Sequence, residues 1–163
     1  MNKEMYLETE RLIIRSFNET DVKDVFEYLS DETVMEYVEP IMTYEKVSTF
    51  VHNAGIKNNL IFAIVSKNIN KVIGHLIFHK YTNKGIFEIG WIINKEYWNK
   101  GYAMEVSRKI IKYGFEELKI NKIIGETEEK NIKSIKTLEK VGMKKVGKNK
   151  DGLIEYEIKN TIK

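Results

Sequence analysis

Residues 86 to 118 constrain the fold most, because they combine an apolar strand, a short glycine loop and an amphipathic helix. The run from Ile86 to Ile93 is apolar and rich in β-branched residues, which is typical of a buried strand. The helix is predicted from Ala103 to Leu118, and the residues of its apolar stripe are Ala103, Val106, Ile110, Ile111, Phe115 and Leu118. A strand that turns into a helix places unpaired backbone N–H groups at the helix N-terminus, so this segment predicts an anion site.

The residues of the loop indicate which class of anion it binds. Gly101 permits a backbone turn that a Cβ atom would obstruct, and the small Ala103 allows a ligand to approach closely. The sequence contains no Gly-x-x-x-x-Gly-Lys-Ser/Thr motif, so nucleoside triphosphate chemistry is disfavoured. The segment therefore predicts a phosphorylated cofactor of another type.

The hydrophobic periodicity of the whole chain predicts the element order βααβββαβαββ. Asn18 or Thr20 and then Thr43 are expected to cap the two early helices, with a short helical turn over residues 31–37 between them. The remaining predicted segments are the strands 11–15, 60–65, 72–81, 86–93 and 122–127, the helix 132–141 and a hairpin at 150–152. This order predicts an α/β (α+β) fold in one domain over residues 1–163, with a mixed, mostly antiparallel central sheet flanked by helices.

Composition excludes several classes of protein. The 163 residues include no cysteine, which excludes a disulfide framework, a cysteine nucleophile and thiolate metal sites, and fits a reducing compartment. The chain start lacks an apolar leader and no apolar run approaches a membrane span, so a cytoplasmic protein without membrane partners is expected. The net charge is only +3, and the lysines of residues 140–150 are expected to form a solvated face, so no nucleic-acid partner is expected.

Five short motifs, in order, resemble the signatures of one family. The segment Trp98-Asn99-Lys100-Gly101-Tyr102-Ala103 resembles the pyrophosphate loop of GNAT N-acetyltransferases, whose usual form is Gln/Arg-x-x-Gly-x-Gly/Ala. The other four motifs are similar to signatures of the RimJ/RimL-like branch: Thr9 to Arg15, Glu88-Ile89-Gly90-Trp91, Asn131-x-x-Ser134 and Glu139 to Met143. The resemblance covers nearly the whole chain. It implies a GNAT-like fold, in which a splayed pair of strands forms a slot for acetyl-CoA.

The resemblance also implies which residues contact acetyl-CoA. Backbone N–H groups of the loop would bind the pyrophosphate, with Lys100 adding charge. The backbone of Ile92 and Ile93, exposed by the splay, would pair with the pantetheine amides, and one N–H could polarise the thioester carbonyl. The expected cofactor-binding residues are Ile92, Ile93, Trp98, Asn99, Lys100, Gly101, Tyr102, Ala103, Asn131 and Ser134.

Glu88 and Ser134 are the candidate catalytic side chains. Glu88 precedes the cofactor-contacting end of its strand, where related enzymes place a carboxylate near the acceptor amine, so it could act as general base through water. The alternative is that the Glu88 carboxylate orients the substrate or satisfies hydrogen-bonding groups of the sheet. The resemblance places the Ser134 hydroxyl near the sulfur, as a cofactor contact or as the acid that protonates the thiolate. Asn131 would be explained by helix capping alone.

The three histidines do not predict a metal site. His75 and His79 alternate along one predicted strand, but the chain has no cysteine and no His-Glu-x-x-His pattern. Both are therefore expected to be polar residues of the sheet face, and His52 is expected on the surface of a helix.

The sequence thus predicts an acetyl-CoA-dependent N-acetyltransferase. A primary amine would attack directly in a ternary complex, because no cysteine is present to form an acyl-enzyme. The acceptor is either a protein N-terminal amine or a small amine such as a polyamine, an amino acid or an aminoglycoside. The alternatives are a non-catalytic acyl-CoA-binding or sensor domain, and a nucleotide-binding module that prefers ATP or NAD. A homodimer is expected by family analogy alone.

Overall fold

The structure is a computed structural model that describes residues 4–162. Within that range it contains eight strands and four α-helices. They are β1 Tyr6–Glu8, β2 Leu12–Arg15, α1 Val22–Leu29, α2 Tyr44–Phe50, β3 Ile61–Ser66, β4 Lys71–Thr82, β5 Ile86–Ile93, α3 Tyr102–Glu116, β6 Lys122–Thr127, α4 Ile132–Lys140, β7 Lys144–Lys148 and β8 Ile154–Lys159. Short 3₁₀ turns at Glu19–Asp21 and Lys95–Tyr97 and a π-helical segment at Val51–Lys57 complete the regular structure.

The strands are hydrogen-bonded in the order β1-β2-β3-β4-β5-β6-β8-β7. Strand β5 pairs with β6 in parallel, and helix α3 makes the long connection that a parallel pair requires. The pairs β1–β2, β2–β3, β3–β4, β6–β8 and β7–β8 are antiparallel. The predicted α/β fold, with a mixed and mostly antiparallel sheet flanked by helices, is confirmed.

The chain divides into two compact units. One comprises the residues up to 77 together with 91–102, and the other comprises 78–90 together with the residues from 103 onward. Strands β4 and β5 each contribute to both units. The expectation of one domain over residues 1–163 stays a prediction, and its outermost residues, 1–3 and 163, lie outside the described range.

In the first unit, side-chain caps precede both early helices. The Asn18 side chain accepts a hydrogen bond from Thr20 N–H, and the Asp21 carboxylate accepts one from Asn18 N–H, which forms a capping box at the 3₁₀ turn that leads into α1. Thr43 caps α2 as predicted, at 3.3 Å from Lys46 N. The apolar residues that these helices bury are Val22, Val25, Tyr28, Leu29, Val47 and Val51, against Ile61, Ala63, Val65 and Val72 of the sheet.

The structure corrects two of the predicted elements and adds one. The helix expected after Thr43 becomes π-helical over Val51–Lys57. Residues 31–37 form hydrogen-bonded turns, including one helix-like bond from Met35 N to Asp31 O at 3.1 Å, in line with the short helical turn expected there. Strand β1 was not predicted, because three residues are too few to show a period. Leu118 is not part of the buried helix stripe: α3 ends at Glu116, the backbone turns with a positive φ at Lys119, and 41% of Leu118 is exposed.

In the second unit, α3 and α4 pack on the sheet through small residues. At Gly114, a Cβ atom would lie 2.8 Å from the Ile120 side chain and 3.3 Å from Phe78. At Gly125, a Cβ atom would lie 3.0 Å from Leu138 of α4. The buried residues of this unit include Ile89, Val106, Ile110, Phe115, Ile123, Ile124, Met143 and Tyr156.

Candidate active site

The glycine loop has the backbone geometry of an anion site. Asn99 and Gly101 both adopt left-handed conformations, with φ of 62° and 79°. The loop leads into the 15-residue helix α3, whose first N–H groups have no acceptor within the helix. Asn99, Lys100 and Gly101 are exposed, so their backbone is accessible to a ligand. These features fit the pyrophosphate of a cofactor.

Two cations lie against the loop. The Arg11 guanidinium lies 4.3 Å from the centroid of the Tyr102 ring, and its Nη2 is the atom that a Cβ at Gly101 would meet first, at 3.6 Å. Lys100 Nζ lies 5.7 Å from the centroid of the Tyr97 ring. In the sequence Arg11 is recognisable only as a motif residue, because no linear pattern relates the residue before β2 to this loop.

Trp98 ties the loop to the end of β5. Its indole N–H donates to the Ile93 carbonyl at 2.7 Å. The neighbouring Asn94 N–H donates to the Ile73 carbonyl of β4 at 2.8 Å. Backbone groups alternate sides along an antiparallel ladder, so the backbone N–H of Ile92 is expected to face β4, as that of Asn94 does, and the N–H of Ile93 to face the other edge. Pairing of Ile92 and Ile93 with pantetheine stays a prediction, and the alternation favours Ile93.

Glu88 lies where the parallel ladder stops. In the described residues β5 pairs with β6 at three positions, Ile86 with Lys122, Phe87 with Ile123 and Glu88 with Ile124, although β6 continues to Thr127. A parallel pair that ends so early fits the splayed arrangement that the sequence analysis expected.

Glu88 forms an ion pair with His79. His79 Nε2 lies 3.3 Å from Glu88 Oε2, and each side chain is 27% exposed. The hydrogen bond to Glu88 raises the pKa of His79 above its ordinary value, and partial burial opposes that rise. The sequence brings these two residues near each other but does not predict their pairing. Three residues separate β4 from β5, and counting back from Thr82 and Ile86 places Lys80, the neighbour of His79, opposite Glu88.

His75 differs from the expected sheet-face residue because it is buried. Only 1% of it is exposed, and its Nδ1 lies 2.8 Å from the Tyr28 hydroxyl. Desolvation lowers the pKa of His75 to about 3, so the ring is neutral. His52 lies on the surface as predicted and pairs with Glu19 at 2.8 Å.

Asn131 and Ser134 lie at the start of α4. The Asn131 side chain accepts a hydrogen bond from Ser134 N at 3.3 Å, so Asn131 is the N-cap and Ser134 the third helical residue. Both side chains are half-buried. The cap accounts for the position of Asn131, and both residues keep an accessible polar surface.

Neither a metal centre nor a membrane span emerges from residues 4–162. No group of three or more histidine, aspartate or glutamate side chains there could hold a metal ion. No helix in the same range is long and apolar enough to cross a bilayer.

The comparisons with known proteins agree with one another. The family model described as "Acetyltransferase (GNAT) domain" matches residues 11–144. The uncharacterized N-acetyltransferase YnaD of Bacillus subtilis (strain 168) is 38% identical over 144 residues, covering 88% of this chain and 85% of YnaD. The crystal structure of a GNAT-family acetyltransferase from Bacillus anthracis superposes with a TM-score of 0.89 at 34% identity, covering 97% of this chain and 100% of that one.

A more distant structure shares the fold. Spermidine N-acetyltransferase from Vibrio cholerae, in complex with CoA and spermine, superposes with a TM-score of 0.80 at 18% identity, covering 94% of this chain and 98% of that one. The RimJ/RimL-like branch stays a prediction. Relatives named as N-acetyltransferases favour an enzyme over a sensor domain or a nucleotide-binding module. The left-handed loop, the early end of the parallel ladder and the family match over residues 11–144 thus lead to one conclusion: this chain belongs to the GNAT family and is an N-acetyltransferase.

Proposed function

We propose that the protein transfers an acetyl group from acetyl-CoA to a primary amine by direct attack. The observation that carries this proposal is the exposed loop with left-handed Asn99 and Gly101 in front of α3. When bound, acetyl-CoA supplies the acetyl group as a thioester. The chain has no cysteine that could carry the acetyl group between two half-reactions.

The chain's own residues account for cofactor binding. Backbone N–H groups from Asn99 to Ala103 bind the pyrophosphate, and Lys100 and Arg11 add positive charge beside it. Ile93 offers a backbone N–H to the pantetheine arm, and Trp98 holds the Ile93 carbonyl in place. Asn131 and Ser134 are further proposed cofactor contacts, and the Ser134 hydroxyl is also the candidate proton donor to the leaving thiolate.

Glu88 acts on the acceptor. An aliphatic amine is mostly protonated at neutral pH and cannot attack until it loses a proton. The Glu88 carboxylate is partly buried, remains accessible and is held by His79, so it is placed to accept that proton directly or through water.

The acceptor is a primary amine, and two classes enter the test. One class is the protein N-terminus, which the branch resemblance suggests. The other is the small amines, to which the substrate of the Vibrio cholerae structural neighbour belongs. Fold similarity at that level of identity does not choose between them.

The experiment measures thiol release from acetyl-CoA with spermine, peptides that begin with alanine or serine, free amino acids and aminoglycosides as acceptors. We expect turnover with one class, and we expect Glu88→Gln to lower kcat by roughly 10² to 10⁴, the usual contribution of a positioned general base. Glu19→Gln is the matched control, because Glu19 is also paired with a histidine but lies on the surface.

Each outcome has a clear meaning. Equal turnover by Glu88→Gln and wild type would remove Glu88 as the base while leaving the transferase intact. No thiol release with any acceptor, although CoA binds, would favour the non-catalytic alternative. Tighter binding of ATP or NAD than of CoA would contradict the proposed cofactor.

A further inference from the structure

Both ring nitrogens of His79 face hydrogen-bond acceptors. Nδ1 lies 3.0 Å from the Lys80 carbonyl oxygen, and Nε2 lies 3.3 Å from Glu88 Oε2. A carbonyl oxygen can only accept, so Nδ1 must carry a proton to make the first contact. The second contact then also needs a proton, either on Nε2 or on the carboxyl group.

The two contacts of His79 indicate how many protons the His79–Glu88 pair can hold. With one proton between Nε2 and Oε2 both contacts are hydrogen bonds, and this is the protonated form of the pair. In the deprotonated form that proton has left, and a neutral imidazole with its proton on Nδ1 presents the Nε2 lone pair as a proton acceptor beside the carboxylate. His79 differs in this respect from His75, whose neutral ring meets a hydroxyl that can donate.

We propose that His79 and Glu88 form a proton-sharing pair, in which Glu88 receives the proton of the acceptor ammonium and His79 Nε2 takes it over. The inference deepens the proposed function and rests on it. His79 does not touch the substrate in this scheme. It is a positioning residue that acts through Glu88.

The step balances in protons and charge. Before it, His79 is neutral with a free Nε2 lone pair, Glu88 is an anion and the acceptor is an ammonium. An N–H bond of the ammonium breaks, a new N–H bond forms at His79 Nε2 by way of Glu88, and the positive charge moves to the imidazolium. The freed amine lone pair can then attack, and the partly exposed imidazolium later returns its proton to water.

The advantage of the pair is a base matched to neutral pH. A carboxylate alone titrates near pH 4, far below the range in which an ammonium must be deprotonated. The hydrogen bond to Glu88 raises the pKa of the His79 imidazole, which makes it a far stronger base than a carboxylate.

Other charged groups nearby do not replace either partner. Glu88 and the Lys80 carbonyl are the groups that act on His79. Tyr81, two residues along the same strand, faces Glu126 of β6, Glu155 of β8 and Asp151 in addition to Glu88, and these carboxylates raise the pKa of its phenol. Tyr81 therefore stays protonated at neutral pH and does not compete as a base.

The first test follows the histidine rings directly, without any substrate. The sequence has three histidines, so a ¹H–¹⁵N NMR titration resolves each ring, and His79→Gln assigns one of them. We expect the pKa of His79 to lie above the ordinary value of a histidine, with protons on both ring nitrogens below that pKa. In Glu88→Gln its pKa should fall below that of wild type, because desolvation remains and the carboxylate is gone.

The second test is the pH dependence of kcat/KM with the best acceptor of the panel. We expect a break in the wild-type profile at the pKa that NMR gives for His79. His79→Gln can still donate a hydrogen bond to Glu88 but cannot take a proton, so it should lose the break and about tenfold or more in rate at pH 8. His52→Gln, which removes a carboxylate-paired histidine from the surface, should leave the profile unchanged.

The outcomes separate this inference from the proposed function. An ordinary His79 pKa that does not respond to Glu88→Gln would overturn the pair, whatever the activity. If the NMR titration supports the His79–Glu88 pair but the pH dependence of kcat/KM is the same in wild type and His79→Gln, the proton transfer is overturned and acetylation still stands. Absence of acetylation in the wild type at every pH would overturn the proposed function, and the role of His79 with it.

Discussion

At the scale of single residues, the three histidines show how the same side chain behaves differently in three environments. His52 is exposed and pairs with Glu19, His79 shares a proton with Glu88 at the sheet surface, and His75 is buried and neutral. The sequence contains the same residue at all three positions. Burial and the nature of the partner decide which ring can be charged.

The buried His75 predicts a specific loss of stability in acid. Its pKa is about 3 in the folded state and near 6.5 in the unfolded chain, so between these values only the unfolded chain binds the proton. The stabilising contribution is complete above about pH 6.5 and is lost as the pH falls toward 3, by roughly 4 to 5 kcal/mol in total. Urea unfolding between pH 7.5 and 4 measures this loss.

Other carboxylates also lose stabilising contacts in acid, so the comparison is with His75→Gln. That variant should unfold more easily at pH 7.5, since the buried Tyr28 hydroxyl loses its imidazole partner, at a cost of about 1 to 3 kcal/mol. Its stability should depend less on pH than that of wild type. Parallel pH profiles for the two proteins would contradict the buried neutral ring.

At the scale of elements, close packing of β4 on β5 positions the strand that ends in the active-site loop. At Gly74 of β4 a Cβ atom would lie 2.3 Å from the Ile92 carbonyl oxygen and 3.0 Å from Ile93 Cα. Both atoms belong to the backbone and cannot rotate away. Gly74 is therefore required by the approach of β5 and not by a turn.

We predict that Gly74→Ala destabilises the protein by about 3 kcal/mol or more, because β5 has to shift to make room. The matched control is Gly125→Ala in β6, where the nearest atom is the end of the flexible Leu138 side chain at 3.0 Å. The control should cost about 1 kcal/mol or less. Urea unfolding compares the two variants, and equal losses would show that the approach of β5 is not the constraint.

The π-helical segment Val51–Lys57 shows what the sequence pattern does not predict about a helix. The sequence predicts a helix after Thr43, and the apolar spacing of Val47, Phe50 and Val51 agrees with one. The wider helical turn contains a close tertiary contact: a Cβ at Gly55 would lie 2.9 Å from the Phe17 ring. Local periodicity contains no information about that neighbour.

At the scale of the whole molecule, binding of CoA should be visible as thermal stabilisation. A ligand that binds only the folded state at 100 times its Kd adds about 2.7 kcal/mol. For a chain of this size that raises Tm by roughly 5 to 10 °C. ATP and NAD at the same concentration should raise it less, since they lack the pantetheine arm that the Ile93 backbone is proposed to bind.

Gly101→Ala is the variant that links this shift to the loop. Gly101 has a φ of 79°, which strains any residue with a Cβ, so the loop should lose its anion-binding geometry. We expect a small loss of Tm without ligand and a much smaller shift with CoA. Gly152→Ala, at a φ of 80° in the β7–β8 hairpin, carries the same strain away from the loop and should keep the full shift.

The fold class, the loop and the family can be predicted from the amino-acid sequence. Five motifs, the strand and helix periods and the capping residues Asn18, Thr43 and Asn131 are local properties, and each is written in a short stretch of chain. The structure agrees with them because the same local forces act in the folded protein. Predictions about the acceptor, the cytoplasmic location, the homodimer and the absence of nucleic-acid partners stay predictions.

The tertiary structure alone decided which distant side chains meet. It placed Arg11 against the loop, buried His75 beside Tyr28 and brought the Trp98 indole to the Ile93 carbonyl. It also ended α3 before Leu118. The physical reason is that burial, desolvation and long-range packing depend on which strands and helices become neighbours, and no linear pattern records those distances.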